Sequence, residues 1–200
     1  LIAVTGGKGG IGKSVVSSCL ALSLARQGAR VGLLDLDFTG PCDHLILGLK
    51  AQLPAEDFGL IPPEEHGLRF MSVSNLTGGR AAPLRGGDVS NALIELLAVV
   101  RWGRLDWLVI DLPPGLGDVL LDAVRLLRRG EFVAVATAST IVVQTVARTL
   151  ALLAQVDAPV LGVIENMRRQ PGTAVAELAA RSGLPFWGFV PYDPQLEPAL

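Results

Sequence analysis

Hydrophobic positions along this chain fall into two alternating patterns. Short runs, apolar at most positions, lie at Leu1–Thr5, Ala29–Leu34, Leu68–Val73, Trp107–Ile110, Phe132–Ala136, Val160–Ile164 and Phe186–Val190. Runs of that length, several of them apolar on both faces, suit strands covered by helices on each side. Between them, apolar residues recur at helical spacing over Lys13–Gln27, Asp88–Arg101, Val119–Arg128, Ile141–Gln155 and Thr173–Ser182. Such alternation predicts a doubly wound α/β domain on a mostly parallel sheet of about seven strands. Leu49–Gly67, rich in proline and acidic residues, breaks the pattern and reads as a surface excursion.

Two hundred residues suit a single domain over 1–200. Leu1 opens directly on a strand-like run, without initiator Met or leader pattern, and Pro198-Ala199-Leu200 ends abruptly; a trimmed sequence is expected. Half of the residues are hydrophobic and 18% charged, so most of the chain must be buried. The most apolar segment, Phe132–Ala147, is interrupted by Thr137, Ser139, Thr140, Gln144 and Thr145, and predicts a strand followed by a helix rather than a membrane span. A net charge of −2 gives no electrostatic basis for a nucleic-acid or acidic-lipid partner. Two cysteines, Cys19 and Cys42, are too few for a disulfide framework and fit a reducing cytoplasm.

Ligands of doubly wound sheets gather at the carboxyl ends of the strands. Gly-rich or polar segments follow Thr5, Leu34 and Ile110, where that rule would put them. Gly7-Lys8-Gly9-Gly10-Ile11-Gly12-Lys13-Ser14 fits G-x-x-x-x-G-K-[ST] between a predicted strand and a predicted helix. Glycines let the backbone turn successive N–H groups toward phosphate oxygens, and the helix that follows, from Lys13-Ser14-Val15 onward, adds its unpaired N-terminal donors. Lys13 is then placed for the β- and γ-phosphates, and the Ser14 hydroxyl for Mg²⁺. Only three lysines occur against fourteen arginines, and two of the three, Lys8 and Lys13, are in this loop.

Two further segments carry carboxylates. Strand alternation would send Asp35 and Asp37, after Val31-Gly32-Leu33-Leu34, to one side. Asp37 is the stronger candidate for a functional role; Asp35 is either a strand cap or an additional metal-side group. Trp107-Leu108-Val109-Ile110-Asp111, followed by Leu112-Pro113-Pro114-Gly115, has the form of a Walker B strand, with Asp111 holding Mg²⁺ through water.

Gly6-Gly7-Lys8-Gly9-Gly10-Ile11-Gly12-Lys13-Ser14 resembles the deviant Walker A motif of the MinD/ParA superfamily. The resemblance implies a homodimer with nucleotide at its interface, in which Lys8 reaches the partner's nucleotide and Asp37 orients the attacking water. The segment Trp102 to Asp118 is similar to the switch II block of the Mrp (ApbC-like) iron–sulfur carrier ATPases, and Phe38-Thr39-Gly40-Pro41 and Leu84-Arg85-Gly86 also resemble that family. Gly162-Val163-Ile164-Glu165-Asn166-Met167 resembles that family's base motif, which implies that Asn166 contacts adenine and that Pro191-Tyr192-Asp193 closes over it. Together these imply ATP/ADP and Mg²⁺ as cofactors, slow dimer-dependent hydrolysis, and an iron–sulfur apo-protein or maturation client.

One departure matters. The carriers place a Cys-x-x-Cys pair shortly after the Asn-Met segment, so that two subunits pool four thiolates for a bridging cluster. Here Met167 leads into Arg168-Arg169-Gln170-Pro171-Gly172-Thr173, which reads as an exposed, shortened loop. Cys19 reads as a core residue of the first helix. Cys42, near the presumed interface, is the remaining candidate for a shared cluster, although a dimer would bring only two such thiols. His44 and His66, the two histidines, read as polar surface residues. Three readings stay open: a cluster-handling ATPase, a positioning or partition ATPase acting on membrane or DNA, and a metal-free maturation or regulatory ATPase with a protein partner. The second needs an amphipathic C-terminal helix or a basic face, and Trp187–Leu200 carries no lysine or arginine.

Overall fold

The computed structural model describes residues 1–38, 40–50, 52–77 and 87–196. In chain order the elements are β1 (Ile2–Gly6), α1 (Lys13–Arg26), β2 (Val31–Asp35), α2 (Asp43–Ile46), β3 (Ala55–Glu56), β4 (Leu60–Ile61), β5 (Glu64–Glu65), β6 (Leu68–Ser72) and α3 (Val73–Thr77). There follow α4 (Gly87–Val99), β7 (Trp107–Asp111), α5 (Asp118–Leu126), β8 (Glu131–Ala136), α6 (Thr140–Gln155), β9 (Val160–Arg168), α7 (Ala174–Arg181) and β10 (Phe186–Pro191).

The main sheet has the order β10-β9-β8-β1-β7-β2-β6-β5. Every neighbouring pair is parallel except β5 with β6, so the sheet has eight strands, the eighth a two-residue antiparallel edge. That edge, and the small antiparallel pair β3–β4, lie within the segment expected to be an irregular excursion. Strand alternation divides the core. Val4, Leu33 and Val109 pack with Val16, Val142, Val146 and Leu178 on one face; Ala3, Leu34 and Ile110 pack with Leu93, Leu96, Leu120 and Ala123 on the other. Helices α1, α6 and α7 therefore cover one side, and α4 and α5 the other.

β1 lies between β7 and β8, and the β7–α5–β8 connection carries the chain from one side of β1 to the other. A crevice forms outside the carboxyl end of β1 at such a crossing. The phosphate-loop sequence begins there.

Two expectations need correction. Cys19 is exposed rather than in the core, because α1 buries Val16, Ser17, Ser18 and Ala21. The buried face of that helix is partly polar, so apolar spacing misplaced its phase. Arg168 is not in a loop: β9 continues through the polar Glu165 and Asn166 to end on it. Arg168 donates to Glu165 Oε1 at 3.0 Å and Oε2 at 2.6 Å, and this pairing permits an almost fully buried carboxylate near the end of a strand. Leu84-Arg85-Gly86, Thr39 and Pro198-Ala199-Leu200 lie outside the described residues. No helix among the described residues is long and apolar enough to cross a membrane.

Candidate functional site

The loop between β1 and α1 owes its path to two glycines. A Cβ on Gly7 would lie 2.5 Å from the Thr145 carbonyl carbon and 2.6 Å from the Val146 nitrogen, so only glycine lets the loop pass α6 at this distance. Gly12 has φ 72°, in the left-handed region, and a Cβ there would collide with the Asn166 amide. Gly12 is also the N-cap of α1 and provides no side-chain cap, which leaves the helix's first N–H groups without a side-chain acceptor. The loop and α1 line a cavity of about 280 Å³ with Asp37, Gly40, Cys42, Ile46 and Pro114.

Lys13 is 6% exposed, and its Nζ lies 2.8 Å from both carboxylate oxygens of Asp111. Ser14 Oγ donates to Asp111 Oδ2 at 2.6 Å, and Ser17 Oγ donates to Asp111 Oδ1 at 2.7 Å. The predicted phosphate lysine, the predicted metal serine and the Walker B aspartate are thus one bonded cluster at the end of β7. Ser17 joins it from the next turn of α1; no sequence motif marks it.

Asp35 ends β2 and is 1% exposed, accepting the Asp37 N–H at 3.0 Å and the Ser72 hydroxyl at 3.4 Å. Burial, reinforced by the Asp111 charge, pushes its carboxyl up to about 7. The strand stops at Asp35, so the alternation argument does not carry on to Asp37. Asp37 is half-buried, faces the phosphate cavity and accepts the Gly40 N–H at 3.0 Å. A third carboxylate escaped the sequence reading altogether. Asp43, the first residue of α2, is fully buried and accepts the Ser18 hydroxyl at 2.9 Å. Burial, then the Asp111 and Asp35 charges, push its carboxyl well above the usual range. Asp35, Asp43 and Asp111 each present an oxygen within 4.8 Å of the others. Hydroxyl and carboxylate oxygens are the donors a hard divalent cation such as Mg²⁺ takes, so these residues fit that ion.

Beyond the loop lies a cavity of about 430 Å³, lined by Asn166, Met167, Arg169, Pro191, Tyr192 and Asp193 among others. It brings together all four residues expected to contact or close over the base. Asn166 is 4% exposed, and its Nδ2 donates to the carbonyls of Ile11 at 2.9 Å and Gly12 at 3.3 Å. Its amide therefore ties β9 to the phosphate loop as well as lining this cavity. Arg169 stacks on the Tyr192 ring at 3.8 Å, while Arg168 lies 4.1 Å over Phe189. Lys8 is exposed and lines both the phosphate cavity and a wider cleft, about 630 Å³, against the start of α6.

Cys42 lines the phosphate cavity, with its thiol pushed up by burial. Cys19 lies apart on the exposed side of α1. His44 is half-buried, with Nδ1 enclosed and unpartnered, and burial lowers its pKa; only His66 has the exposed position expected of both.

A family model described as ParA: NUBPL iron-transfer P-loop NTPase matches residues 1–199. The chain belongs to this family. An iron–sulfur cluster carrier protein of Aquifex aeolicus is 37% identical over 98% of this chain and 58% of its own length. One from Deinococcus radiodurans is 44% identical over 84% of this chain and 49% of its own. The chain thus spans about half the length of these relatives. A nucleotide-binding protein from Archaeoglobus fulgidus, solved in complex with ADP, superposes with a TM-score of 0.81 at 33% identity, covering 98% of this chain and 83% of that one. The fold of the iron-transfer P-loop NTPases is also that of the MinD cell division protein of Aquifex aeolicus, with a TM-score of 0.70 at 20% identity over 98% of this chain and 84% of that one.

Proposed function

We propose that this member of the iron-transfer NTPases is a Mg-ATP-hydrolysing switch that works as a homodimer with nucleotide at its interface. The observation that carries the reading is the cluster of Lys13, Ser14 and Asp111 beneath a glycine loop whose helix N-terminus is open to a ligand. Phosphates entering the 280 Å³ cavity meet the backbone amides of Gly9 to Ser14 and draw Lys13 from Asp111 onto their oxygens. Ser14 and Asp111 would then be free to hold Mg²⁺, and Asp35 stands close enough to join them. Bound there, the ion would neutralise developing phosphate charge. Asp37, at the cavity wall, orients the attacking water. Lys8, exposed on the loop, completes the site of the partner subunit. The adenine occupies the cavity lined by Asn166, Pro191 and Asp193.

The residues present do not fit a bridging iron–sulfur cluster of the carrier type. The whole chain has two cysteines, one exposed on α1 and one beside the phosphate site, against four thiolates that such a cluster takes from two subunits. Ligating a cluster through Cys42 would crowd the phosphates. We therefore assign the chain an ATP-dependent role toward an iron–sulfur apo-protein or maturation client, in the cytoplasm, without a cluster of its own. The test is iron and sulfide content after anaerobic reconstitution, with ATP binding measured on the same sample. ATP bound with no stoichiometric cluster is expected. A cluster lost in Cys42→Ala would return the chain to the carriers and contradict the assignment.

A further inference from the structure

The carboxylate pocket, when ionised, carries more negative charge than its one lysine neutralises. Asp35, Asp43 and Asp111 are each no more than 1% exposed, and Lys13 is the one cation acting on Asp35 and Asp43 among the described residues. With all three carboxylates ionised, one ammonium leaves two negative charges, the amount a divalent cation cancels. A second observation points the same way. Asp43 accepts from Ser18 through Oδ1, while its Oδ2 is buried and has no hydrogen-bond partner. A buried carboxylate oxygen without a donor is costly and calls for a ligand. The oxygens available from the three aspartates, within 4.8 Å of one another, are close enough to face a single ion.

We propose that Asp43, together with Asp35 and Asp111, forms a divalent-cation site that fills before the nucleotide arrives. The proposal rests on the nucleotide-site reading above and deepens it. In that reading the ion comes with ATP and is held by Ser14 and Asp111. Here the protein holds the ion first, and Asp43 is the residue that makes nucleotide-free loading possible. When phosphates draw Lys13 away from Asp111, a loaded cation keeps the three carboxylates compensated. Ser18 is a positioning residue: its hydroxyl occupies one oxygen of Asp43 and thereby fixes the carboxylate plane.

Mn²⁺ is the probe, followed by electron paramagnetic resonance on protein stripped of nucleotide and metal. Wild type should take up about one Mn²⁺ per chain, and Asp43→Asn should bind it about tenfold more weakly or worse. Ser18→Ala, which keeps the charge and loses only the orienting bond, should fall between them. Thermal unfolding supplies a readout independent of uptake. In chelator, Asp43→Asn should melt above wild type, because an amide replaces a buried acid crowded by two other carboxylates; in Mg²⁺ the order should reverse. Fluorescent ADP added to wild type in Mg²⁺ separates the two levels of the argument. If ADP binds but Mn²⁺ is taken up only with nucleotide, or equally well by Asp43→Asn, the cation proposal is overturned and the nucleotide site stands. If ADP fails to bind as well, the nucleotide-site reading itself falls.

Discussion

The two sides of the phosphate loop are built on opposite principles. On the carboxylate side, Lys13, Asp35, Asp43 and Asp111 are at most 6% exposed, and side-chain bonds joining α1 to α2 and β7, and β2 to β6, hold them. On the side proposed for the base, Arg169 and Asp193 are exposed, Tyr192 is 39% exposed, and ring stacking stands in for ion pairing. Coulomb interactions are weakly screened in the first environment and strongly screened in the second. Chemistry that moves phosphate charge belongs in the first. Recognition of a flat, uncharged base needs only shape, stacking and a few hydrogen bonds, and tolerates water nearby.

Substitutions should expose this contrast through the size of their effects. Lys13→Ala should act most strongly, abolishing nucleotide binding and costing about 3–5 kcal/mol of stability, because it leaves buried carboxylates uncompensated; fluorescent-nucleotide titration and urea unfolding measure the two losses. Asn166→Ala removes the donors to Ile11 and Gly12 and should weaken ATP binding by about 1–2 kcal/mol, read by calorimetry, with little change in fold. Arg169→Ala removes an exposed stack and should weaken ATP and ADP binding alike, by about 0.5–1 kcal/mol. An Arg169 effect as large as that of Lys13 would mean that the base side is not the screened recognition surface described here.

What could be read from the sequence follows the same division. Lys13, Ser14 and Asp111 were legible because their signals are local: a glycine loop before a helix, and an apolar strand ending in an acid. All seven strands expected from hydrophobic runs are present, and the eighth is too short to carry a pattern. Asp43, Ser17 and Ser18 were not legible. They matter only because α1 turns a polar face inward onto α2 and β7, and helical spacing of apolar residues carries no trace of a buried polar face. The same face explains why Cys19 was wrongly placed in the core. At the far end, Glu165 and Arg168 ended the apolar run before the strand itself ended, since their pairing compensates for polarity that a pattern reads as loop.

The central claim is that two copies of this chain complete one another's sites through Lys8. It is tested most directly by ATP turnover per subunit measured across a wide range of protein concentrations, for wild type and Lys8→Ala. Turnover that rises with concentration to a plateau in wild type, and is lower by about a hundredfold or more in Lys8→Ala despite intact ATP binding, is the predicted result. Turnover independent of concentration, or undiminished in Lys8→Ala, would contradict it.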